Sequence, residues 1–169
     1  SGVGDNAFRY SSVETVFLAA SVKSVGEFAF SGCAYLREVT ATGVTSIGKC
    51  AFFGDDLLLH VRATAVKSVA DQAFSGCESL AWVYMGKTAP DMGKYVFDST
   101  NAAVIYPVGG DGYAGDMWSD VHTEPYLAGD ATGDGKCNLS DVSLLLKMIA
   151  KWNVSLNRVS ADANADDKI

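Results

Sequence analysis

The chain has 169 residues, 49% hydrophobic and 20% charged, enough apolar material to bury a core in one ordinary domain with a small appendage, which excludes a disordered protein. Its 20 acidic against 13 basic residues give a formal net charge of -7, so phosphate backbones and anionic lipid are disfavoured and nucleic acid is not an expected partner. No apolar run approaches the length of a bilayer span and no charged-then-apolar leader opens the chain, as expected of a cytosolic protein or of a mature or excised piece of a longer one.

From Val22 a register of 22 residues repeats without gaps: "VKSVGEFAFSGCAYLREVTATG", then "VTSIGKCAFFGDDLLLHVRATA" from Val44, then "VKSVADQAFSGCESLAWVYMGK" from Val66. Phe30, Phe52 and Phe74 fall in register, with Phe8 before and Phe97 after in degenerate copies, so the spacing predicts about five rungs. Within each rung the apolar residues recur as Leu36, Val39, Ala41, as Leu58, Val61, Ala63 and as Leu80, Val83, Met85. The last two of each set lie two apart, as a strand with one buried face requires, and the whole spacing is the core of a leucine-rich repeat.

No rung can bury its apolar face alone, so stacking is expected to make one continuous core with a parallel sheet on one side of a curved slab. Each Phe with the small residue before it, such as Ala29-Phe30, is expected to fill the opposite wall on a short helical turn. The outward columns flank each central valine: Thr15 and Phe17, Glu38 and Thr40, His60 and Arg62, Trp82 and Tyr84. His60, Arg62, Trp82 and Tyr84 form an aromatic and cationic cluster of the kind enriched in binding hot spots, a possible face for a protein or carbohydrate ligand. The alternative is that these side chains pair across the strands or pack against the C-terminal module.

Cys33 and Cys77 occupy the same slot two rungs apart, roughly 10 Å at a strand spacing of about 4.8 Å, beyond the roughly 7 Å limit for a bridge. All four cysteines, Cys50 and Cys137 included, are expected to be free, buried thiols.

The full motif, "V.SIG..AF.GC..L..V", resembles the BspA-like class of leucine-rich repeats over about residues 2 to 106. The following "VIYPVGGDGYAGDMWSDV" is similar to the closing segment of that family, in which Tyr113 and Trp118 would pack over the last rung. The resemblance implies a secreted, extracellular or cell-surface protein given to adhesion or binding rather than catalysis.

Beyond the repeats, "GDATGDGKCNLSD" gathers oxygen-bearing side chains at fixed spacing. Counted from Asp130, a twelve-residue loop places Asp130, Thr132, Asp134, Lys136, Asn138 and Asp141 at positions 1, 3, 5, 7, 9 and 12, with Gly135 at 6 for the sharp turn. Calcium wants six to eight oxygens, and this spacing supplies side chains from positions 1, 3, 5 and 12, the backbone carbonyl of Lys136, and Asn138 through water. Two departures, Asp at position 12 and Thr132 at position 3, predict a weaker site or one that leans on water. A phosphate-binding loop is excluded, because Asp130 and Asp134 would repel phosphate and Cys137 stands where Ser or Thr is needed. The register restarts in "SADANADDKI", where Asp162, Asn164, Asp166 and Lys168 fill positions 1, 3, 5 and 7 of a second loop whose later positions lie past the end.

Between the two stretches, "SDVSLLLKMIAKW" places Val142, Leu145 and Ile149 at helical spacing as the first loop closes. One loop followed directly by one helix, duplicated and ending on Asp, resembles a dockerin rather than a calmodulin-like EF-hand, in which helices flank the loop on both sides. The resemblance covers residues 129 to 169, with the second half cut before its helix. It implies a cohesin partner on a scaffoldin or cell-surface protein, a cellulosome-like assembly for polysaccharide degradation in an anaerobic bacterium, and partner-reading residues at Leu139, Ser140, Leu146, Lys147 and Lys151. Three close carboxylates repel one another, and a forty-residue module has little core, so bound calcium would offset both deficits.

The fold class expected is therefore an α/β repeat, a short leucine-rich-repeat solenoid over 1–127, joined to a small all-α calcium-binding dockerin module over 128–169. The function expected is calcium-dependent docking of a secreted repeat protein onto a cohesin, the repeats acting as a binding or stabilising module. The alternative is the non-catalytic C-terminal tail of a larger secreted polysaccharide-degrading enzyme. No catalytic arrangement is expected in the chain itself, because His60 and His122 are its only histidines and neither stands beside a nucleophile motif. A calcium sensor is disfavoured, since a sensor exposes a Met-rich groove between helix pairs.

Overall fold

The structure, a computed structural model, describes residues 1–113, 117–128, 130, 136, 137, 139 and 140. In chain order the strands are β1 (Gly2–Val3), β2 (Thr15–Phe17), β3 (Ser24–Val25), β4 (Glu38–Thr40), β5 (Ser46–Ile47), β6 (His60–Ala63), β7 (Ser68–Val69), β8 (Trp82–Met85), β9 (Asp91–Met92), β10 (Ala103–Pro107), β11 (Met117–Trp118) and β12 (Val121–Tyr126). From β1 to β10 they alternate between two sheets, β1-β3-β5-β7-β9 and β11-β12-β10-β8-β6-β4-β2, so each repeat lays one strand on each wall, and β11 and β12 extend the second sheet as an antiparallel pair. The result is a parallel-sheet β-solenoid of about six turns rather than an α/β repeat.

Register follows the repeat. Val16 pairs with Val39, Val39 with Val61, Val61 with Val83, and Val83 with Val104, one inward residue per rung. On the opposite wall Val3, Val25, Ile47, Val69 and Met92 form the matching column. β-Branched residues suit both columns because each side chain stands on a pleated, half-buried surface with a like neighbour above and below. Between the walls the rings of Phe8, Phe30, Phe52, Phe74 and Phe97 stack in sequence at centroid distances of 5.2, 5.3, 5.3 and 5.6 Å. The stack follows the rung spacing, and Leu36, Leu58 and Leu80 fill the remaining core without exposure.

The helical turn expected around each Phe is not formed, and no helix is present within residues 1–113. Two columns of left-handed residues interrupt any right-handed run: Asn6, Phe28, Cys50, Gln72 and Tyr95, then Tyr10, Gly32, Gly54, Gly76 and Ser99. The turn amides also bond across rungs, Phe30 N to Ala51 O at 2.8 Å, Phe52 N to Ala73 O at 2.9 Å and Phe74 N to Val96 O at 3.0 Å. Hydrogen bonds that a helix would satisfy within four residues are instead satisfied by the neighbouring turn.

One column inside the core is polar. Ser11, Cys33, Asp55, Cys77 and Thr100 succeed one another, and Cys33 Sγ donates to Phe8 O at 3.1 Å, Cys77 Sγ to Phe52 O at 3.0 Å and Thr100 Oγ1 to Phe97 O at 2.8 Å. Asp55 takes the same slot with no exposed surface and accepts the Cys33 N–H at 2.7 Å. The cysteines are free; Cys33, Cys50 and Cys77 are buried as expected, but Cys137 is exposed, because it lies outside the stacked rungs.

After β10 the chain turns back and Tyr113 closes on the last rung. Its hydroxyl donates to Gly86 O at 2.9 Å, its ring stacks on Tyr106 at 4.1 Å, and Trp118 meets it edge-on at 5.1 Å. The chain divides into two compact units, Ser1–Tyr106 with Gly110–Glu124, and Pro107–Gly109 with Pro125–Ile169.

Candidate functional site

The outward residues of the larger sheet are placed by strand alternation. In β2, Thr15 and Phe17 are exposed on either side of buried Val16, and in β4 Glu38 is exposed and Thr40 half-buried on either side of Val39. In β6 and β8 the pairing brings His60 beside Trp82 and Arg62 beside Tyr84. The His60 and Trp82 rings stack at 5.2 Å with planes 10° apart, and the Arg62 guanidinium carbon lies 4.5 Å from the Tyr84 centroid. The four residues thus form two cross-strand stacks, with Tyr84 only 2% exposed and His60, Arg62 and Trp82 half-buried. An imidazole held flat on one aromatic face and a guanidinium over another make a partly desolvated surface of the kind that stacks on a ring or pairs with a carboxylate.

Of the loop residues assigned to calcium, Asp130 and Lys136 are among those described. Asp130 is 2% exposed and its amide donates to Leu127 O at 2.9 Å, whereas Lys136 is exposed. A carboxylate withdrawn from water is stable only with compensating partners, and an all-oxygen donor set with a leading buried Asp suits a hard divalent cation. The ligand expected from Lys136 is its backbone carbonyl, for which the side chain needs no burial. Thr132, Asp134, Asn138, Asp141, Asp162, Asn164, Asp166 and Lys168 lie outside the described residues. So do Val142, Leu145 and Ile149 and the partner-reading Leu146, Lys147 and Lys151. Leu139 and Ser140 are exposed. Among the described residues no cluster of three or more His, Cys, Asp and Glu is placed to hold a metal ion.

His122 lies on β12 with Nε2 3.1 Å from Glu124 Oε1, an exposed pair. Burial raises the thiols of Cys33, Cys50 and Cys77, so none is activated as a nucleophile. Asp55 is the residue that sequence reasoning passed over. Desolvation pushes its carboxyl up to about 8, against the lowering effect of the Cys33 and Gly32 amides. Its Oδ2 has no hydrogen-bond partner among the described residues, so nothing there replaces the water that the ionised form loses and the neutral form is favoured. The signal was present in the repeat register, where Asp55 stands between Cys33 and Cys77.

A family description, the BspA type leucine-rich repeat region, matches residues 1–106 in six copies, one more than the rungs counted from the Phe column. Curated proteins give no match, and solved structures give none. Leucine-rich-repeat domains are typically non-catalytic, and repeats of this type are often found on surface or secreted proteins. Among the described residues no helix is long and apolar enough to cross a membrane. The phenylalanine ladder, the two parallel valine columns and the six matched copies agree: this chain belongs to the BspA-type leucine-rich-repeat family.

Proposed function

We propose that the chain is a secreted binding module whose solenoid presents a face of His60, Arg62 and Trp82, with buried Tyr84 backing Arg62, to a protein or carbohydrate ligand, while a dockerin-like segment over 128–169 tethers it to a cohesin in a calcium-dependent manner. The observation that carries the tether is the acidic register itself, six ligand positions from Asp130 to Asp141 begun again at Asp162, Asn164, Asp166 and Lys168. Calcium would be held by Asp130, Thr132, Asp134, Asn138, Asp141 and the Lys136 carbonyl, and it would supply the charge that lets these carboxylates lie close. Leu139 and Ser140, at positions 10 and 11 of the same loop, are exposed where a partner would contact them.

Isothermal titration with calcium tests the tether. Wild-type protein is expected to bind with an affinity in the micromolar range or tighter, and Asp130→Ala and Asp141→Ala each to weaken binding at least tenfold. Absence of a saturable heat in the wild type, or wild-type affinity in both variants, overturns the assignment.

A further inference from the structure

Among the phenylalanine-bearing turns there is a cavity of about 430 Å³, lined by turn residues and by none of the sheet residues of the proposed ligand face, and far in sequence from the acidic loop. Its floor is Gly54. Tyr10, Gly32, Gly54, Gly76 and Ser99 form one left-handed column, with φ of 57°, 72°, 69°, 76° and 56°. In the first step of that column the Tyr10 ring lies directly over Gly32, where an added Cβ would sit 2.5 Å from Tyr10 Cδ1 and 2.6 Å from Cε1. One rung on, a Cβ at Gly54 would meet nothing within 4 Å. The fold thus fills one ring-sized place with its own tyrosine and leaves the next one open. Phe53 lines that place together with Phe28, Cys50 and Gln72, successive members of the other left-handed column.

The chemistry of the lining selects the occupant. Phe28, Phe53 and Tyr10 give it three aromatic side chains, with Ser31, Gln72 and Arg9 as its polar ones, which favours a planar apolar ring over a sugar with its many hydroxyls to satisfy. Arg9 is the charged residue among those that line it. Its guanidinium is held by two rings, 4.8 Å from the centroids of both Tyr10 and Phe28, and it donates to the Tyr10 hydroxyl at 3.1 Å and to Asn6 Oδ1 at 3.4 Å. Five N–H donors serve those two acceptors, which leaves donors for a carboxylate in the guanidinium plane. Around Cys50 the charges of Glu27 and Asp71 are offset by Lys49 and Arg9, and burial raises its thiol, so the wall beside the ring is uncharged at pH 7.

We propose that this cavity binds a small aromatic carboxylate, its ring over Gly54 among Phe53, Phe28, Cys50 and Gln72 and its carboxylate on Arg9. The cavity volume suits a molecule of one ring with a short acidic side chain.

The test uses 4-hydroxycinnamate as probe, with 4-hydroxycinnamamide as its neutral isostere, followed by amide shift perturbation on the full chain. Saturable shifts are expected at Gly54 and Gly32, with the acid binding about tenfold more tightly than the amide, since a charged hydrogen-bonded partner is lost. Arg9→Gln is expected to remove that difference while the protein stays folded, Arg9 being a surface residue. The acid should also slow alkylation of Cys50 and leave alkylation of exposed Cys137 unchanged. Equal affinity of acid and amide, shifts located away from Gly54, or no saturable binding at millimolar probe overturns the proposal. None of these outcomes depends on calcium, so they leave the tether standing or falling separately.

Discussion

Replacing Asp55 by asparagine isolates a single titration inside the solenoid. The carboxyl has no exposed surface, accepts the Cys33 amide at 2.7 Å and titrates at about 8 in the folded chain. In the unfolded chain it returns to 3.8. Between those values the folded state holds a proton that the unfolded state has released, so stability declines as pH rises through the window and levels off above it. At about 1.4 kcal/mol per unit, the separation of the two values corresponds to roughly 6 kcal/mol lost between pH 4 and pH 8. Asparagine keeps the Oδ1 acceptor for the Cys33 amide and does not titrate. Below pH 4 the two proteins present the same neutral group to the core and differ little. The assay is urea unfolding of wild type and Asp55→Asn at intervals from pH 4 to pH 9, with the difference curve cancelling every other group. The variant is expected to gain on wild type steadily across the window, by several kcal/mol, with a plateau above pH 8. A flat difference curve would refute the assignment of a neutral buried carboxyl at this slot.

The phenylalanine ladder predicts a gradient along the stack. Phe52, 1% exposed and stacked on both sides, should lose about 3–5 kcal/mol on truncation to alanine, whereas Phe8, 45% exposed with one stacked neighbour, should lose about 1–2 kcal/mol, both by chemical denaturation. Tyr113→Phe removes the hydroxyl bonded to Gly86 O while keeping the ring on Tyr106, for a loss of about 0.5–1.5 kcal/mol in the same assay. Thiol titration of the native protein should show Cys137 reacting at once and Cys33 and Cys77 only on unfolding, since the latter two have no exposed surface and donate to backbone carbonyls.

Much of the solenoid could be read from 22-residue periodicity because that periodicity is itself the physical cause of the fold. Phe30, Phe52 and Phe74 must stack if the rungs do, and Leu36, Val39 and Ala41 with their equivalents must face inward on a strand. The second sheet was not legible in the same way. Strands of two residues, such as Ser24–Val25 and Ser46–Ile47, carry no alternation of their own and exist only because the neighbouring rung supplies their hydrogen bonds. The helical turns expected at Ala29-Phe30 and its equivalents failed for the same reason, inter-rung bonding having replaced local bonding. On the outward face, residue alternation identified His60, Arg62, Trp82 and Tyr84, but only coordinates revealed that they stack in pairs across β6 and β8. The cavity over Gly54 needed Tyr10 to be seen lying on Gly32, a contact between a degenerate first copy and a regular second one. For the acidic loop, ligand spacing is a property of the sequence, and most of its members lie outside the described residues.

The most direct measurement of the central claim is capture of the chain by a panel of immobilised cohesins, run in calcium and again in chelator. Docking through an ion-shaped surface predicts nanomolar-class binding to at least one cohesin in calcium, abolished by chelator and by Asp141→Ala and unaffected by Trp82→Ala on the solenoid. Capture that persists in chelator, or no capture by any cohesin in calcium, would contradict it.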